Sequence, residues 1–109
     1  MLTSTPEDMR MKDLYILAEF LRHARYALRK SVVQIAKETG VSSGTVDGWE
    51  DLCGVPRTPK EDKYEGIVKA YNLERDEFIR INNLAIEAKK QEQAARLPIR
   101  RRRASSVFR

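Results

Sequence analysis

The stretch Val32-Val-Gln-Ile-Ala-Lys-Glu-Thr-Gly-Val-Ser-Ser-Gly-Thr-Val-Asp-Gly-Trp-Glu-Asp51 decides the fold. Ser31 stands in front of it as a helix cap, with Gln34 three residues on. The pattern predicts a short helix over about Val32 to Thr39, with Ile35 and Ala36 facing inward. Gly40 ends it, because glycine takes the left-handed conformation of a tight turn without a steric penalty. Ser42 then caps another helix running to about Asp51, whose inward residues are Val46 and Trp49.

Working outward from this pair, Thr5-Pro6-Glu7-Asp8 carries the signals that open a first helix: a cap, a proline at the first helical position and an acid. Its apolar positions Leu14, Leu17, Leu21, Ala24 and Leu28 recur every three or four residues. On the other side, Leu52-Cys-Gly-Val-Pro-Arg-Thr-Pro59 reads as a loop. Thr58-Pro59-Lys60-Glu61 repeats the opening signal and starts a fourth helix with the stripe Tyr64, Ile67, Val68 and Tyr71. After a break at Asn72-Leu73, helical spacing continues from about Arg75 to Arg96, where Pro98 is expected to stop it. No strand is expected. The fold class is therefore all-α: five helices, the last one long, followed by a flexible basic tail.

Composition narrows the function. With 109 residues the chain suits one small domain, and 41% apolar against 34% charged residues favours a globular helical chain over a disordered one. No apolar run approaches the ~18 residues of a membrane span, and Met1-Leu-Thr-Ser-Thr-Pro-Glu-Asp8 shows no secretory signal. A lone cysteine, Cys53, forms no internal disulfide, so a reducing, cytoplasmic setting is expected. One histidine, His23, and one cysteine are too few for a metal cluster, and no glycine-rich phosphate loop is present. Neither a metal, a cofactor nor an enzymatic activity is expected.

Charge is unevenly placed. Residues 1–59 and 60–97 each carry eight basic and eight acidic side chains. The net charge of +5 thus lies wholly in the tail, in Arg100, Arg101, Arg102, Arg103 and Arg109. A flexible arginine run of this kind binds phosphate without sequence preference or enters a narrow minor groove.

Two short helices joined by a glycine turn, the second capped by serine, form a helix-turn-helix. Residues 32–51 resemble the Cro/Xre-type helix-turn-helix of phage repressors: Ala36 at the close helix crossing, Gly40 and Val41 at the turn, Val46 and Trp49 at the two buried positions. Ile67-Val-Lys-Ala-Tyr-Asn-Leu73 followed by Asp76-Glu-Phe78 is similar to that family's fourth helix and its lead into the fifth. The resemblance covers about Leu14 to Phe78 and implies a domain over 1–78, an extension over 79–97 and a tail over 98–109.

The resemblance implies a sequence-specific transcriptional regulator of bacterial, phage or plasmid origin, repressor-like, binding double-stranded DNA and associated with the nucleoid. It pairs Arg25 with Glu50 as a structural ion pair. It places Ser42, Ser43, Gly44, Thr45, Asp47 and Gly48 where the third helix meets base edges. Lys30, Gln34, Lys37 and Arg57 would position the phosphate backbone, with the tail arginines 100–103 adding affinity. A palindromic site requires a dimer, for which Ile81, Leu84, Ala85, Ala88 and Ala95 offer a seam along the long helix.

One departure keeps a second reading open. None of the six residues at the reading position is an Arg, Lys, Asn or Gln, the side chains that discriminate bases best. The same helices would then serve as a scaffold for a protein partner, antitoxin-like or polymerase-binding, with nucleic acid bound only through the tail.

Overall fold

The computed structural model describes residues 13–107, with side chains through residue 94. The opening signal at residues 5–8, the side chains of Ala95 and Arg100–Arg103, and Arg109 lie outside what is described. Among the described residues five α-helices are bounded at both ends: α1 (Ile16–Leu28), α2 (Val32–Thr39), α3 (Ser43–Trp49), α4 (Tyr64–Ala70) and α5 (Arg75–Val107). A 3-10 turn, Glu61–Lys63, leads into α4, and no strand occurs among the described residues.

Local chemistry sets most of these boundaries. Ser31 adopts an extended backbone and its Oγ accepts from Gln34 N–H at 3.1 Å, which starts α2. Gly40 closes α2 at φ 73°, and its N–H returns to Ala36 O. α1 and α4 end without glycine, on Arg29 at φ 56° and Asn72 at φ 54°. In both turns the following N–H reaches back five residues, Lys30 to Arg25 O at 3.2 Å and Leu73 to Val68 O at 2.9 Å.

Beyond α1, which starts at Ile16 after a turn at Tyr15, three boundaries differ from those the sequence suggests. α3 ends at Trp49 rather than near Asp51, because Asp51 turns back on the loop and its Oδ1 accepts from Cys53 N–H at 2.8 Å and Gly54 N–H at 3.1 Å. α4 starts at Tyr64 instead of Thr58: Pro59 is buried and the chain stays extended through Lys60. α5 runs through Pro98 to Val107, where a stop was expected. A proline inside a helix removes one hydrogen bond, and here the helical path continues beyond it.

α2 packs on α3 and α4, while α1 lies across α3 and α5. The core they enclose holds Leu17, Leu21, Ile35, Ala36, Val46, Trp49, Ile67, Tyr71, Phe78, Ile81 and Ala85. Tyr64 and Phe78 meet edge to face, with ring centroids 5.2 Å apart. Ile81, Ala85 and Ala88 are buried within this single chain, so they do not form a seam between two copies. Leu84 alone of the described seam residues is exposed. Three- and four-residue spacing reads the same for a core stripe and a dimer seam, and the approach of α1 decides between them.

Candidate nucleic-acid interface

α3 is held from beneath by a charged knot. Arg25 and Glu50 are both buried, with Arg25 Nη2 2.9 Å from Glu50 Oε1 and Arg25 Nε 3.1 Å from Oε2. Two parallel N–H donors on one carboxylate give the pair a fixed geometry. Tyr71 Oη donates to Glu50 Oε2 at 2.5 Å, and Arg22 Nε donates to the Glu50 carbonyl at 3.1 Å. Arg25 Nη1 also donates to Lys30 O at 3.1 Å, and its guanidinium lies 4.9 Å from the Tyr26 ring centre. The hydrogen bond to Glu50 raises the pKa of Arg25 above its ordinary value. Burial, followed by the Glu50 hydrogen bond, pushes the Tyr71 phenol well above its own.

The knot ties α1, the end of α3 and the end of α4 at one point, which fixes how α3 is presented. Val46 and Trp49 fill the core side of α3. The opposite side carries Ser43, Gly44, Asp47 and Gly48, of which the first three are exposed.

The six residues expected to read bases do different things. Ser42 and Thr45 are engaged with each other, their hydroxyls 2.9 Å apart, while Ser42 Oγ accepts from Thr45 N–H at 3.2 Å. Ser42 is therefore the N-cap of α3, and the Thr45 hydroxyl is turned onto it. Gly44 faces open space apart from Ser42 Oγ, 3.9 Å from where a Cβ would stand. Gly48 does not leave a gap: the stem of Arg57 crosses it, with Arg57 Cδ 2.8 Å from a would-be Cβ. Ser43 and Asp47 remain as exposed polar side chains on the helix itself.

The expected backbone contacts divide as well. Lys30 is turned inward, its Nζ 2.8 Å from both Glu38 Oε1 and Ala70 O, so it is not free for phosphate. The Lys30 hydrogen bond holds the Glu38 carboxyl below its ordinary value. Gln34 Nε2 donates to Glu38 Oε2 at 3.1 Å. Lys37 and Arg57 are exposed and enter none of the ion pairs formed among the described residues. Residues to which the sequence assigns no role in the site complete the picture. Arg22 and Tyr71 belong to the charged knot, and Asn82 is fully buried with its Nδ2 2.7 Å from Tyr64 Oη. Tyr71 falls in an apolar stripe, and nothing local marks its hydroxyl as a partner of Glu50.

His23 is exposed on α1, and Cys53 is exposed in the loop after α3. No helix among the described residues is long and apolar enough to cross a membrane. No protein-family model, curated protein or solved structure matches the chain.

Proposed function

We propose that the chain is a DNA-binding transcriptional regulator of the helix-turn-helix kind, repressor-like, which docks α3 in the major groove of double-stranded DNA. The observation that supports this most directly is the division of α3. One side is locked into the core and the charged knot, while the other is small and polar, and exposed at Ser43, Gly44 and Asp47. Major-groove binding requires a rigid helix whose outer side is left exposed, and the groove, about 12 Å wide, admits one. Arg57 borders that side as an exposed cation that enters none of the ion pairs among the described residues, and Lys37 on α2 is likewise exposed and outside those pairs, so both are available to DNA. Arg100–Arg103 would add backbone or minor-groove affinity, and a homodimer would double the contact.

A second reading has its own support. The loop after α3 exposes Leu52 and Val55, and Asp47 would repel phosphate. A protein partner would cover those apolar side chains and face the acid.

One experiment separates the two. The full chain and a variant with Arg100–Arg103 all replaced by alanine are each mixed with fragmented genomic DNA at about 0.15 M salt. The retained fragments are then sequenced. Enrichment of the same few sites by both proteins supports the regulator. Uniform retention that vanishes with the arginines reduces DNA binding to the tail and favours the protein partner.

A further inference from the structure

The outer side of α3 has an owner that is not on the helix. A Cβ at Gly48 would come 2.8 Å from Arg57 Cδ and 3.3 Å from its Cγ and Nε, so the Arg57 stem fills the room of a side chain at 48. The position is clipped in place, since Arg57 N–H donates to Gly48 O at 2.8 Å. Pro56 and Pro59, both buried, anchor the loop on either side. The residue itself is exposed, and no carboxylate among the described residues pairs with its guanidinium. It also lines a cleft of about 450 Å³ together with Thr45, Trp49, Lys60, Asp62 and Lys63.

We infer that Arg57 is the specificity-determining residue of the interface, reading the O6 and N7 edge of a guanine from across Gly48. The inference rests on the DNA-binding reading above. It accounts for the lack of a strong base reader among residues 42–48, because the reader is supplied by the loop. It also gives Gly48 a purpose, as the seat of an arginine stem. A guanidinium fork matches both guanine acceptors at once, which an ammonium does not. Packing the stem and clipping the backbone before binding leaves less freedom to be lost on docking.

The test is selection from a random duplex library by the full-length protein and by Arg57→Lys, Arg57→Ala and Gly48→Ala. Wild type is expected to enrich a motif with at least one fixed guanine. Arg57→Lys keeps the charge and most of the stem, yet should lose about tenfold or more discrimination at that guanine while other positions keep theirs. Gly48→Ala should lose it too, with helix content and melting temperature retained, because alanine favours the helix while its methyl displaces the stem. Two results overturn the inference while leaving DNA recognition intact. In one, Arg57→Lys selects the wild-type motif with undiminished discrimination. In the other, Arg57→Ala weakens binding to all sequences alike and lowers the salt slope by about one, as the loss of a phosphate contact does. If the wild type enriches no motif, the regulator reading fails and the role of Arg57 falls with it.

Discussion

The inner side of α3 is crowded, and its outer side is nearly bare. Inward, Val46, Trp49 and Glu50 are almost completely buried, and each meets residues from other helices. Outward, two of the residues are glycines, and one of those is covered only by the stem of an arginine from the following loop. Glycine inside a helix costs about 0.8–1 kcal/mol relative to alanine. A helix of seven residues containing two of them would not hold by propensity. The inner side supplies what the helix lacks, so the conformation of α3 is dictated from below. Ser43, Gly44 and Asp47 on the outer side are thereby left exposed, which suits a surface whose task is to fit something else.

Substitutions sharpen this contrast most strongly at the charged knot. Glu50→Ala leaves the buried Arg25 without its carboxylate and Tyr71 without an acceptor. Breaking a buried pair from one side costs about 3–5 kcal/mol, a large share of the roughly 5–15 kcal/mol available to a small domain. Urea unfolding should show it as a lower midpoint. Asp47→Ala, three residues earlier but on the outer side, should shift stability by no more than about 0.5 kcal/mol. Equal losses at the two positions would erase the distinction between the sides.

Tyr71→Phe removes one donor to Glu50 and should cost about 1.5–3 kcal/mol, the range for a hydrogen bond to a charged group. It also carries a pH signature. In the unfolded chain the phenol loses its proton near pH ~10, whereas burial and the Glu50 hydrogen bond keep Tyr71 protonated to higher pH in the native state. The unfolded state then binds fewer protons, so stability is fully present below pH ~10 and declines as pH rises above it. The phenylalanine variant should lose that part of the alkaline decline. Denaturation midpoints measured from pH 8 to 11 for both proteins would show whether it does.

How legible each part was depends on how local its cause is. Ser31, Gly40 and Ser42 act on groups within four residues of themselves, and the bounds of α2 follow from them. The Arg25–Glu50 pair joins residues 25 apart and is legible only through the likeness to the Cro/Xre pattern. Lys30 reads as a surface cation, yet it closes onto the Ala70 carbonyl 40 residues away. Arg57 over Gly48 is hidden for the same reason, since the sequence shows a glycine and an arginine nine positions apart with no sign that the loop folds back. The spacing of Ile81, Ala85 and Ala88 was visible, but periodicity names a face without naming what covers it. Asn82 stands in that same stripe, polar and fully buried, where spacing alone favours an apolar residue.

The smallest effect divides the outer side itself. At Gly44 a Cβ would meet Ser42 Oγ at 3.9 Å, an ordinary contact, and the backbone is not in the left-handed region. Gly44→Ala should therefore stabilise the chain by up to about 0.8–1 kcal/mol, the helix-interior difference in propensity. Gly48→Ala gains the same propensity but must move an arginine stem that lies 2.8 Å away, and the two terms oppose each other. The variant at 44 should melt higher than the variant at 48, and a double-mutant cycle of Gly48→Ala with Arg57→Ala should recover the difference. If the two single variants melt together, the stem of Arg57 leaves Gly48 at no cost, and the outer side is uniformly bare. If they differ, the surface of α3 is already organised around one arginine before any partner arrives.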